Sequence, residues 1–232
     1  MTLVQAWDMA WKAKLSDRDN TNKGYNTVEK YFKWFVKENK LELLAITEFN
    51  IGYAFQLMDW IYSTRKIGNR TYNNYKTYFS CVFNELKRRK IIPENPFASI
   101  QPKKQTEKER NPLSESQRNI MWQLLSKNDP GLILPTYLIM YCAIRPNELR
   151  QIIVGYVDLN KSIIRLPGEI TKNRKSQCVT IPSDLLPIVS KHIGNSPFDH
   201  FLFGRNSMLL PSKLQCGRDH MSKRHRTVVV LA

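Results

Sequence analysis

Acidic residues are the first shortage: 20 Asp and Glu stand against 36 Lys and Arg in 232 residues, a formal net charge of +16. So large a surplus excludes a charge-balanced surface and points to a polyanionic partner. Cysteine is also scarce. Cys81, Cys142, Cys178 and Cys216 lie more than 30 residues apart from one another, which excludes zinc-ligand spacing and a dense disulfide scaffold and fits a reducing cytosol. Long hydrophobic runs are missing too. The longest, residues 131–144, has 14 residues and contains Pro135 and Thr136, too short for the roughly 20 that span a bilayer. Met1 to Trp11 carries Asp8 and no basic stretch, so a secretory signal is not expected. The four histidines are scattered, and no metal is assigned to them. What remains is a soluble, cytoplasmic protein whose 42% hydrophobic residues can bury a core, with nucleic acid favoured over a membrane surface.

The pattern divides the chain in two. Apolar residues recur at three and four in Leu3–Leu15, Asn26–Glu38, Thr47–Thr64 and Arg70–Arg89, which predicts four amphipathic helices. Asp17 to Asn20, the region of Gly24, and Gly68-Asn69 read as breaks between them. Trp34, Phe35, Trp60, Phe79 and Phe83 read as core, because helical spacing turns such rings inward. Pro93 and Pro96 close this half. A basic linker, residues 101–112, follows with Lys103, Lys104, Lys108 and Arg110. Domains are therefore expected at 1–100 and 113–232. Ser114 and Gln117 have the form of a capping box, and helices are expected through Gln151. Three short β-branched runs, Tyr156–Leu159, Ser162–Leu166 and Gln177–Ile181, then predict a small antiparallel sheet, with a further helix from Ser183. Residues 1–105 hold 18 basic and 10 acidic side chains, and residues 106–232 hold the same numbers, so each half carries +8. Two basic halves are what a clamp on a duplex needs.

Two motifs carry the chemistry. In Tyr141-Cys142-Ala143-Ile144-Arg145-Pro146-Asn147-Glu148-Leu149 an arginine follows a hydrophobic helix, and a glutamate stands three residues later. Alone, that pair reads equally as a helix cap or an ion pair. Thr171-Lys172-Asn173-Arg174-Lys175-Ser176 precedes Val179-Thr180-Ile181-Pro182, a turn with three cations that is either solvated or set against a phosphate backbone.

In that order, with Asn95-Pro96-Phe97 at the end of the helical half, these segments resemble the tyrosine recombinase (phage integrase) family. The resemblance runs from near Lys23 to Arg226. Arg145, Glu148 and Leu149 match the T-G-x-R-x-x-E-L motif, with Cys142-Ala143 in place of Thr-Gly. The implied fold is mainly α with a small β-sheet: an N-terminal helical core-binding bundle (SAM-like) and a partial α+β integrase catalytic domain. The implied reaction is DNA integration and site-specific recombination in a mobile element. A tyrosine oxygen attacks a DNA phosphodiester, leaving a 3′-phosphotyrosine and a free 5′-hydroxyl, with no cofactor, ATP or metal.

In that scheme Arg145 is catalytic, because a fixed guanidinium offers paired donors to the charged non-bridging oxygens and keeps its charge. Lys172 is the second catalytic residue, protonating the leaving oxygen, with Lys175 as the rival claimant. Glu148 supports Arg145. DNA contacts are expected from Arg70, Tyr72, Asn73 and Lys76 on the fourth helix, from Lys103 and Lys104 on the linker, and from Arg174 and Lys175 on the hairpin. Asn73 and Lys76 are the base-edge and phosphate candidates, although an ordinary soluble helix face accounts for them nearly as well. Lys87-Arg88-Arg89-Lys90 reads as a basic helix end that also suits phosphate.

The family pattern also asks for a later His-x-x-Arg and, after it, the nucleophilic tyrosine. The ten tyrosines end at Tyr156, and the nearest form of the histidine motif is His220-Met221-Ser222-Lys223. The expectation is a domain cut short by natural truncation, frameshift or excision, and inactive alone. A non-catalytic module or regulator occupying attachment sites is the alternative. The implied partners are double-stranded DNA at an attachment or recombination site and a second copy or a full-length integrase, with no membrane.

Overall fold

The computed structural model describes residues 1–16, 19–105 and 111–230. The chain falls into two compact units, Met1–Glu109 and Arg110–Ala232. Lys108 and Arg110 of the expected linker, and Asp17 and Arg18 of the expected first break, lie outside the described residues.

The first unit is four helices: α1 (Leu3–Lys12), α2 (Asp19–Glu38), α3 (Ile51–Arg65) and α4 (Asn69–Arg88). A capping box opens α1. The Thr2 hydroxyl accepts from the Gln5 amide at 3.3 Å, and the Gln5 side chain accepts from the Thr2 amide at 3.1 Å, satisfying donors that a helix start leaves open. Aromatic rings fill the centre. Trp7 stacks on Phe32 at 4.0 Å, and Phe97 stacks on Phe79 at 5.2 Å and meets Phe83 at 5.0 Å. Such pairs add about 0.5–1.5 kcal/mol each beyond the area they bury. Phe97 reaches this core because Asn95 folds the closing turn: its carboxamide donates to Ser80 and to the Asn84 side chain and accepts from the Phe97 amide.

Two expectations need correction. Gly24 does not break the second helix; α2 runs through it. A Cβ there would sit 2.2 Å from the Tyr78 ring, so glycine serves close packing against α4. Trp34 is not core. It is 40% exposed, because at 100° per residue Val28, Phe32, Phe35 and Val36 share the buried face and Trp34 falls on its flank. There the Arg65 guanidinium lies over its ring at 4.9 Å and over Tyr31 at 5.4 Å.

The second unit begins with α5 (Glu115–Asn128), capped by Ser114 and Gln117 as the sequence predicts. A 3-10 turn, Pro130–Leu132, leads into α6 (Ile133–Tyr141), and α7 (Pro146–Leu149) follows. Strands β1 (Val157–Asp158), β2 (Ile163–Leu166) and β3 (Gln177–Thr180) form an antiparallel sheet in the order β1-β2-β3, with Val157 opposite Ile164 and Ile164 opposite Val179. Ile164 and Leu166 are buried while Arg165 between them faces solvent and bonds Asp158 at 3.0 Å, as the two-residue period of a strand requires. Helices α8 (Leu186–Ile193) and α9 (His220–Val230) complete the unit. Arg224 anchors α9 by donating two hydrogen bonds to the Asp129 carboxylate and one to the Ser207 carbonyl. The chain is thus mainly helical with one small sheet. No helix among the described residues is long and apolar enough to cross a membrane.

Candidate functional site

The end of α6 sets the position of Arg145. Tyr141 is the last helical residue, Ala143 turns the chain with φ of +52°, and Ile144 is buried. Pro146 then occupies the first position of α7, where its missing N–H costs nothing. Arg145 is the N-cap of this short helix and Glu148 its third residue, so the two face each other across one turn. The Arg145 amide donates to Glu148 Oε2 at 3.3 Å, and its Nη1 donates to Glu148 Oε1 at 2.8 Å.

The same Oε1 accepts the backbone amide of Lys172 at 3.0 Å. One carboxylate therefore joins two segments 24 residues apart in sequence. Glu148 is 3% exposed, whereas the Arg145 side chain is 55% exposed and Lys172 lies open to solvent. Burial pushes the Glu148 carboxyl up, but the bonds from Lys172 and Arg145 outweigh it and hold the group below its usual range. The arrangement is an anionic post, fully occupied, presenting two cations outward.

The β2–β3 turn is shaped around Lys172. The Thr171 hydroxyl, 4% exposed, lies 3.1 Å from the Gly168 carbonyl and 3.0 Å from the Lys175 carbonyl. A Cβ at Gly168 would sit 2.7 Å from the Arg174 carbonyl, so only glycine allows this close approach. Arg174 and Lys175 are exposed on the far side of the turn, and the Lys175 amide meets Asn173 Oδ1 at 3.5 Å. Arg145, Glu148 and the Lys172 backbone are brought together; among the described contacts, Arg174 and Lys175 do not join them. Cys142 is buried, which pushes its thiol up and leaves it protonated.

The candidates on α4 separate into two kinds. Arg70 is exposed and Lys76 half-buried. Tyr72 is 3% exposed, and that expectation of a DNA contact is corrected: its ring packs edge-on against Tyr62 at 5.6 Å. Asn73 also differs from the base-reading role expected for it. Its amide donates to the Lys103 carbonyl at 2.8 Å and accepts from the Lys103 amide at 2.8 Å. Asn69 adds a bond to the Lys104 carbonyl at 2.8 Å. Lys103 and Lys104 of the segment read as linker are thereby fastened to α4. Lys103 holds its ammonium 4.2 Å from the centre of Tyr62 and 4.8 Å from that of Tyr72, while Lys104 is exposed. The sequence reading missed Asn69 and Tyr62; the signal present was two amides at i, i+4 on one helical face.

At the basic end of α4, Glu85 is 3% exposed and pairs with Lys14, Arg88 and Arg89. These bonds hold its carboxyl far below the usual range. Arg88 and Arg89 tie down the helix end through Glu85 while staying exposed themselves, and Lys87 and Lys90 are exposed beside them.

Residues 3–106 match the sequence model of the phage integrase SAM-like domain. No curated protein sequence matches the chain. Solved structures do. An integrase of the Tn1549 transposon in complex with circular intermediate DNA aligns with a TM-score of 0.76 at 14% identity, covering 100% of this chain and 78% of that one. A lambda integrase dimer bound to a COC' core site aligns with 0.70 at 14% identity, covering 100% and 80%. A lambda integrase tetramer on a Holliday junction aligns with 0.70 at 13% identity, covering 98% and 65%. The N-terminal unit is thus similar to the phage integrase SAM-like domain, and the chain as a whole shares the fold of these solved integrases.

Proposed function

We propose that this chain is a DNA-binding protein of the tyrosine recombinase type, which holds duplex DNA at an attachment or recombination site and presents Arg145 and Lys172 to a single phosphate. The carrying observation is the Glu148 carboxylate, bonded at once to the Arg145 guanidinium and to the Lys172 amide. A guanidinium fixed at one end keeps its outer donors for phosphate oxygens, where they stabilise charge that grows in a transition state. Lys172 is the hairpin lysine on this reading, since its amide and not that of Lys175 touches the post. Arg70, Lys76, Lys104, Arg174 and Lys175 supply backbone contacts that hold register without reading sequence.

Residues 157–232 hold no tyrosine, so on this reading the 232 residues bind DNA and position a phosphate, and the nucleophile of strand transfer is not among residues 157–232. The free thiols and the DNA partner support a cytoplasmic place of work.

The test is duplex binding by wild type, Arg145→Ala, Glu148→Ala and the double variant. Each single change is expected to weaken binding by about tenfold, the size of a lost charge-assisted contact. The double variant is expected to lose less than the sum of the two, because Glu148 acts partly through Arg145 and partly through the Lys172 amide. Additive losses, or none, contradict the reading. A covalent DNA adduct formed by this chain alone contradicts the proposed absence of a nucleophile.

A further inference from the structure

Three rings stack in series in the second unit. Trp122 of α5 lies on Tyr137 of α6 with centroids 4.2 Å apart and planes 22° apart, and Tyr137 lies on Tyr141 at 5.7 Å and 28°. The inner two are half-buried, while Tyr141 is 58% exposed. An exposed ring alone is ordinary. Here the exposed ring is the last member of a nearly parallel row, and the row is held at its inner end by the packed body of α5 and α6. Its next member has to be another flat π-system.

Location decides which one. Tyr141 stands four residues before Arg145, no more than about 14 Å of chain. Between them the chain turns at Ala143 and is anchored by the buried Ile144. A flat ring beside a phosphate-binding cation matches a nucleotide, whose base and phosphate are joined through one sugar. An aromatic side chain of a protein partner would use the ring but not the arginine.

We propose that Tyr141 is a stacking platform for an unpaired base beside the phosphate held by Arg145. Inside an intact duplex both faces of each base are covered by neighbours, so the platform gains a partner only where a base is unstacked, as next to a gap or in a bulge. Stacking on an aromatic side chain is tolerant of base identity, so the preference is for an unpaired position and not for a sequence. The inference rests on the DNA-binding reading above and goes beyond it in naming a distorted substrate.

The experiment compares an intact duplex with one carrying a single unpaired 2-aminopurine, using wild type, Tyr141→Ala and Tyr141→Phe. Wild type is expected to bind the unpaired-base duplex about tenfold more tightly than the intact one and to quench the 2-aminopurine fluorescence. Tyr141→Phe keeps both effects, because the ring face and not the hydroxyl acts. Tyr141→Ala loses both while intact-duplex affinity stays unchanged, and its thermal midpoint falls only slightly, by the lost contact with Tyr137. Equal quenching by Tyr141→Ala overturns the proposal. So does a Tyr141→Ala effect on self-association alone, which would make the ring a protein contact. Binding to both duplexes with no preference defeats the platform and leaves the DNA reading standing; binding to neither defeats both.

Discussion

Ala143 adopts φ of +52° immediately before the buried Ile144 and the functional arginine. A residue with a Cβ pays about 1–2 kcal/mol for the left-handed region, which glycine avoids. Gly also widens the unfolded ensemble, which returns part of that difference. Ala143→Gly is therefore expected to raise unfolding stability by about 1 kcal/mol, measured by urea melts; an unchanged or lower midpoint would mean the neighbourhood needs the methyl group. Glu148 makes a prediction of the opposite kind. Burial works to raise its carboxyl, yet the donors of Lys172 and Arg145 hold it below its ordinary value. A group whose folded pKa lies below the unfolded value of about 4.3 binds protons more readily when unfolded. Its stabilisation is complete above that value and disappears as pH falls through the lower, folded one. Wild type should accordingly lose more stability than Glu148→Gln on going from about pH 6 to about pH 3, with denaturant melts at each pH as the measurement.

At the scale of elements, what was legible in the sequence was local. The Ser114 capping box closes within three residues, the strand alternation of Ile163 to Leu166 repeats every two, and α4 matches its periodicity to within a residue at each end. What escaped depends on partners far along the chain. Gly24 reads as a breaker because its reason, the Tyr78 ring, lies 54 positions away on α4. Asn73 reads as a polar surface group because its partner, Lys103, is 30 positions on. The Glu148–Lys172 bond is equally invisible to periodicity, and only the family resemblance placed those residues in one site. Gly24 also sets two rules against each other. Replacing a helix-interior glycine by alanine gains about 1 kcal/mol in propensity, whereas forcing a methyl group into packed rings costs roughly 1–3 kcal/mol. The 2.2 Å approach to Tyr78, itself edge-on to Tyr25 at 4.9 Å, leaves little room to give. Gly24→Ala is therefore expected to lower the thermal midpoint, and a higher midpoint would show that Tyr78 swings aside.

For the whole molecule the governing quantity is charge. The net +16 is shared as +8 and +8 between residues 1–105 and 106–232, so the cations do not belong to a single tail. Part of that charge is paired within the fold: Arg88 and Arg89 bond Glu85, Arg224 bonds Asp129, and Lys103 rests on two tyrosine rings. The exposed cations Arg70, Lys104 and Lys175, with the outer donors of Arg145, are what can displace counterions from DNA. Each phosphate neutralised contributes about −0.9 to the slope of log affinity against log salt on a duplex. Six to ten contacts would thus cost roughly three to five decades of affinity between 50 and 200 mM salt. Single changes should then divide by kind. Arg70→Ala and Lys104→Ala are expected to flatten the slope by about 1 each, whereas Arg88→Ala, which removes an intramolecular pair, should leave the slope alone and lower stability. A slope near zero in wild type would mean that the surplus charge is not facing phosphate, and a slope change in Arg88→Ala would return that arginine to the DNA-binding set.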